Sequence, residues 1–163
     1  MTQTTLQRTP WLRSVYPGPV SGASWMHRLP AVGLWIASVA VLALSAMIEP
    51  DPRGFGTHEA LGLPACSFLG RTGLPCMACG MTTAFSLAAH GRLIDAFIAQ
   101  PAGAILAMFN ATLFWVSGYA AVTGMSLAPL WKHTLRGSTV LAVAGLLLAG
   151  WCWKLLMMLE VTR

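Results

Sequence analysis

Ala31-Val-Gly-Leu-Trp-Ile-Ala-Ser-Val-Ala-Val-Leu-Ala-Leu-Ser-Ala-Met-Ile48 runs without a charged residue. Wound as a helix at about 1.5 Å per residue it is about 27 Å long, close to the thickness of a hydrocarbon core. The stretch therefore predicts a first membrane span over 31–48. A cleaved signal peptide is the rival reading, because Ala43-Leu44-Ser45 resembles a small-residue cleavage site. The thirty residues ahead of the apolar run are long for the charged leader of such a peptide, which favours the span.

Working outward, residues 1–30 are polar and carry Pro10, Pro17, Pro19 and Pro30 with no periodic apolar face, the pattern of a mobile N-terminal tail. Downstream, Ala102 to Thr123 is uncharged, with Asn110 its most polar member, and predicts a second span over 102–123 that crosses with a modest tilt. Ser138 to Leu159 predicts a third, over 138–159, interrupted only by Lys154. That lysine lies near the end of the run beside Trp151 and Trp153, so it is expected to snorkel to the headgroups as an anchor. The link Gly124 to Gly137, with Pro129, makes the last two spans an antiparallel hairpin with Trp131 at the interface. Small residues recur every fourth position at Gly33 and Ala37, at Gly103, Ala107 and Ala111, and at Gly145 and Ala149. Such stripes let helix backbones approach closely in lipid.

The composition agrees. Of 163 residues, 56% are hydrophobic and 9% charged, where a soluble domain has about a quarter charged. A chain this apolar can neither cover a soluble surface nor stay solvated as a disordered one. Its glycines show no triplet period and four cysteines are too few for a disulfide scaffold. The net charge of +5 comes from cations scattered singly, which gives no basic stripe for nucleic acid. The expected architecture is an all-α integral membrane protein, with a membrane domain over 31–163. Its three transmembrane helices carry a cysteine-bearing loop of short interfacial or re-entrant helices, about 60–101.

That loop holds the chemistry. Cys66, Cys76 and Cys79 lie in it, and Gly62, Pro64, Gly70, Gly73 and Pro75 keep the segment irregular. After Cys79-Gly80 the pattern turns helical from Met81 to Ala89, and Gly91 breaks it. A second short helix, Leu93 to Gln100, precedes Pro101 and is placed along the interface, because fused to the second span it would be about 46 Å long. Two cysteines spaced by two residues can face one centre, and the helix start behind them favours thiolate. Cys152 stands alone in the third span as a small packing residue.

The run Arg71-Thr-Gly-Leu-Pro-Cys76-Met-Ala-Cys79-Gly-Met-Thr-Thr83-Ala-Phe85, with Leu63-Pro-Ala-Cys66 before it and His90-Gly91 and Gln100-Pro101 after it, resembles a family of bacterial membrane proteins, the domain of unknown function numbered 2752. The family pattern is close to C, then T-G-x-x-C-P-x-C-G-x-T-R-A, then a Gly, then N-P leading into a membrane helix. The resemblance covers about residues 60–110. Met77 stands where proline is usual, Thr83 where arginine is usual and Gln100 where asparagine is usual. If the family arginine binds an anion or pairs with a thiolate, Thr83 has lost that role. The resemblance implies a protein integral to the bacterial cytoplasmic membrane and no defined activity.

Three readings of the cluster stay open. A disulfide between Cys66 and Cys76 or Cys79 would pin the loop if it faces an oxidising compartment. A tetrahedral zinc site would join Cys66, Cys76 and Cys79 to a fourth ligand, His90 or His58. A redox reading cycles Cys76 and Cys79 between dithiol and disulfide. No serine-histidine-aspartate spacing, phosphate loop or paired carboxylate within a span is present, and Asp95 and His90 read as solvated interfacial residues rather than a proton relay. The function expected is a non-enzymatic membrane subunit or scaffold with a structural cluster. Its partners would be the lipid bilayer and another membrane protein or a second copy of itself; the alternative is a membrane thiol-disulfide oxidoreductase. Cations divide equally between the two sides of the predicted topology, and the acids, all on the cysteine-loop side, favour an N-terminus inside and that loop outside.

Overall fold

The computed structural model describes residues 28–125 and 137–161, the last four without their side chains. The N-terminal tail up to residue 27, most of the link between the last two spans, and Trp131 lie outside the described residues. The described residues are mostly helical, with no strand among them. Its elements are α1 (Leu29–Met47), a 3-10 turn (Thr57–Leu61), α2 (Ser67–Thr72), α3 (Met81–Ala89), α4 (Leu93–Ala99), α5 (Pro101–Thr123) and α6 (Gly137–Val161). Three of these, α1, α5 and α6, are long and apolar enough to cross a membrane, at the positions the uncharged runs predict.

The helices start and stop where local chemistry requires. Pro30 sits in the first turn of α1 and Pro101 opens α5, positions where the missing N–H is no loss. Gln100, forced out of the helical region by the proline after it, is extended at φ −163° and ψ 103°. This one residue separates α4 from α5, so the two do not form a single rod.

The spans alternate in direction. Arg28, at the start of α1, donates from Nη1 to the Val122 carbonyl near the end of α5 at 3.3 Å. Midway, Asn110 Nδ2 reaches the Ser38 carbonyl at 3.4 Å. Trp35 stacks on Phe114 with centroids 6.0 Å apart and its indole edge lies over Gly118, where a Cβ would meet Nε1 at 2.9 Å. The start of α5 meets the latter half of α6, since a Cβ on Gly150 would sit 2.8 Å from the Ala102 Cβ. The up-down-up course brings the end of α1, the start of α5 and the latter part of α6 to one end of the bundle. The segment between α1 and α5 folds over that end.

The small-residue expectation holds for one stripe and fails for two. Gly103 and Ala107 are packed, and a Cβ on Gly103 would meet the Ala84 Cβ at 2.9 Å. Gly33 and Gly145 have nothing within 4 Å of that position, and Ala37 and Ala149 are exposed. The packed faces are instead Ala31 and Ser38 on α1 and Gly150 on α6. A four-residue spacing marks a face without saying which face meets a neighbour.

Candidate thiol cluster

Cys66 is the N-cap of α2. Backbone N–H groups of Leu69 and Phe68 donate to its thiol, and with the neighbouring thiols they draw it below the ordinary cysteine range, to about 7. Cys76 and Cys79 lie on a tight turn in which the Cys79 N–H donates to the Cys76 carbonyl at 3.0 Å. Cys79 is buried, and burial pushes its thiol up to about 12. The sulfur atoms of Cys66, Cys76 and Cys79 all lie within 4.8 Å of one another, and none is in a disulfide. The nine-residue spacing that separates Cys66 from the pair in sequence is closed by α2 and the Gly73 turn.

The turn is held from behind by main-chain carbonyls. The Pro75 carbonyl accepts from Trp151 Nε1 of α6 at 2.9 Å, and the Met77 carbonyl accepts from Gln100 Nε2 at 3.2 Å. Gly80, which follows Cys79, has φ +88°, and a Cβ there would meet the Gly54 carbonyl oxygen at 2.8 Å, the Ala99 carbonyl oxygen at 3.2 Å and Lys154 Nζ at 3.3 Å. Only glycine satisfies both the left-handed backbone and that approach. Four parts of the chain therefore converge directly behind the cysteine pair.

Lys154 is the largest departure from expectation. Rather than snorkelling outward it is buried, 9% exposed, and its Nζ donates to the Gly54 and Ala99 carbonyls, each at 3.0 Å. Phe55 lies beside it, with Nζ 5.8 Å from the ring centroid. The physical reason is its register: Lys154 follows Gly150 and Trp151 by a turn, on the face that meets the folded loop, and the carbonyls there satisfy its N–H groups. Cys152, expected to pack, is instead exposed on the outer side of α6.

The two candidate histidines, His58 and His90, are not brought to the sulfurs. His90 caps the far end of α3, with Nδ1 2.8 Å from the Ser86 carbonyl oxygen, and it is not one of the residues gathered around the cysteines. Nor is His58, whose Nε2 lies 3.2 Å from the Pro64 carbonyl oxygen. Asp95 pairs with Arg92 at 2.8 Å. Thr83 is fully buried, and its hydroxyl meets that of Thr57 at 2.8 Å. Thr57 Oγ1 also accepts the Asp51 N–H at 3.0 Å, so position 83 faces the 51–59 turn, whose acids Asp51 and Glu59 are both met by Arg53.

Sequence reasoning missed Gln100 and Lys154 as parts of this arrangement. Gln100 is fully buried and its Oε1 has no hydrogen-bond partner among the described residues, a cost of about 1–3 kcal/mol. A polar residue directly before Pro101 and a lone cation inside an apolar run were the available signals.

Residues 66–114 match the model of a family described as "Protein of unknown function (DUF2752)", which bears out the family resemblance read from the cysteine pattern. No curated protein and no solved structure matches the chain.

Proposed function

Starting from a family match that covers the cluster and the first part of α5, we propose that the chain is an integral protein of the bacterial cytoplasmic membrane in which Cys66, Cys76 and Cys79 hold one thiophilic metal ion, zinc first. The observation that carries this reading is the gathering of three unbridged sulfurs within 4.8 Å. A tetrahedral zinc with bonds of about 2.3 Å places its thiolates about 3.8 Å apart, inside that radius. A chain with three cysteines in one place cannot pair all of them as disulfides, whereas a metal uses all three. The lowered Cys66 thiol supplies the first thiolate at neutral pH, and a bound cation would draw the proton from Cys79. Such an ion would tie α2 to the turn before α3, and hence clamp the loop over the ends of the spans. In this reading the protein is a subunit or scaffold. Leu63, Phe68, Leu74 and Met77 are exposed on the segment that carries the cysteines, and a membrane partner or a second copy would meet that segment.

A second reading is favoured by the difference in exposure between Cys66, half-buried at a helix start, and Cys79, buried with its sulfur within 4.8 Å of the Cys66 sulfur; backbone N–H groups draw the Cys66 thiol down and burial pushes the Cys79 thiol up. This is the disposition of an attacking thiolate and a protected resolving thiol. The Cys66 thiolate would attack a disulfide of a partner protein, form a mixed disulfide and expel one partner thiolate. Cys76 or Cys79 would then displace the second, leaving the partner reduced and this chain oxidised.

Metal analysis and thiol counting on the purified protein separate the two. One zinc per chain, lost in Cys66→Ser, Cys76→Ser and Cys79→Ser and retained in Cys152→Ala, supports the metal reading. Metal-free protein in which two of the three thiols are oxidised defeats the metal reading, and it supports the redox reading where the reduced form transfers its electrons to a model protein disulfide and supports a structural disulfide where it does not. Metal-free protein with three reduced thiols defeats the metal reading, and failure of that reduced protein to reduce a model protein disulfide defeats the redox reading.

A further inference from the structure

Lys154 also lines a cavity of about 600 Å³ between the 50–55 turn, α4 and the latter part of α6. That volume is within the range of about 300–1,000 Å³ usual for small-molecule sites. Its wall is divided. Phe55, Leu87, Ile98 and Met157 give it an apolar part. Arg53, Arg92, Lys154, Asp51 and Asp95 give it a charged part.

The acids of the wall are already paired. Asp51 is taken by Arg53 at 2.7 Å and Asp95 by Arg92 at 2.8 Å. Lys154 has no carboxylate partner among the described residues, only the two carbonyls. An ammonium carries three N–H donors, of which the described residues take two. Removing an ammonium from water without a counter-charge is expensive, and an ionisable side chain within a span marks a functional position. Phe55 also stands within reach of Arg53, whose Cζ lies 5.3 Å from its ring centroid, but that guanidinium is paired with Asp51 and Glu59, so Lys154 is the cation of this wall without an acidic partner among the described residues. Lys154 lies seventeen residues along α6 from Gly137, about 26 Å of helix, which puts it near the opposite face of a bilayer core of about 30 Å from the helix start.

We propose that this cavity binds a phosphate-bearing anion, with Lys154 as its charge partner at the inner wall, the Arg53 and Arg92 pairs at its edge, and the apolar wall against any attached hydrocarbon. The phosphate belongs to an anionic phospholipid headgroup of the surrounding leaflet or to a soluble phosphate. None of its residues is a proposed metal ligand.

The test uses full-length protein, delipidated in detergent, with native mass spectrometry and thermal shift. The probes are a short-chain phosphatidylglycerol, the matching phosphatidylcholine and inorganic phosphate. Phosphatidylglycerol is expected to bind at least tenfold tighter than phosphatidylcholine, and Lys154→Met to lose at least tenfold of that affinity. Arg92→Gln, a change at an exposed side chain, leaves Asp95 unpaired and is expected to weaken binding in the same direction. It decides the matter if Lys154→Met does not fold. Displacement of the lipid by inorganic phosphate would identify the phosphate alone as the recognised group, and binding of the lipid only would identify a headgroup site. Equal affinity for the two lipids, no binding of any probe, or folded variants that bind as the wild type would overturn the proposal. Metal content measured on the same samples keeps its failure distinct from failure of the metal reading.

Discussion

Replacing Gly80 by alanine tests the convergence behind the cysteine pair. Two costs add. An L-residue at φ +88° occupies left-handed backbone, at about 1–2 kcal/mol. The new Cβ would also stand 2.8 Å from the Gly54 carbonyl oxygen and 3.2 Å from that of Ala99, both backbone atoms that cannot swing aside, and such overpacking costs about 1–3 kcal/mol. The sum is about 2–5 kcal/mol, a large part of a typical net stability of about 5–15 kcal/mol. Gly62→Ala is the control, because its φ is +76° with nothing within 4 Å of the added atom, so it carries only the backbone cost. At about 2–4 °C per kcal/mol for a chain of this size, Gly80→Ala should melt about 4–20 °C below the wild type and Gly62→Ala about 2–8 °C below. The assay is thermal unfolding in one detergent at one scan rate, followed by tryptophan fluorescence. Gly80→Ala melting no lower than Gly62→Ala would show that the close approach of Gly54, Ala99 and Gly80 does not exist.

Three further expectations follow from other parts of the chain. Gly150→Ala forces a Cβ to 2.8 Å from that of Ala102 and 2.9 Å from Gln100 Oε1, and should lower the melting temperature, whereas Gly145→Ala, with open space around it, should be nearly silent. Cys66, with its thiol at about 7 against an ordinary 9.0, should alkylate with a midpoint near pH 7 in metal-free protein while Cys79 stays protected; mass spectrometry of iodoacetamide-treated peptides reads this, and a Cys66 midpoint near 9 would contradict the hydrogen bonds from Leu69 and Phe68. The sign for stability follows: a thiol lowered in the folded state stabilises it fully above pH 9, and that contribution is lost as pH falls through 7. An impermeant maleimide should label Cys66 on intact cells after mild reduction and metal chelation if the loop faces outward, and protection until the membrane is permeabilised reverses the orientation.

The one-dimensional pattern was enough for the spans and their punctuation, because each depends on neighbours along the chain. An uncharged run long enough to cross lipid must be helical, since no water is there to satisfy its backbone, and Pro101 dictates a break at Gln100 whatever surrounds it. The cysteine turn ahead of Met81 was legible for the same reason. What needed the tertiary structure was every choice among faces and every meeting of distant residues. Gly33 and Gly103 are alike in sequence, yet only Gly103 has Ala84 against it. The sequence offers His90 or His58 as a fourth ligand beside the three cysteines, but α3 carries His90 away from the sulfurs while α2 folds Cys66 onto them. Lys154 read as an anchor because a lone lysine near a span end ordinarily finds water. Here the up-down-up course sets the Gly54 and Ala99 carbonyls across from it, and those two backbone oxygens, remote from it in the chain, decide that its ammonium stays inside.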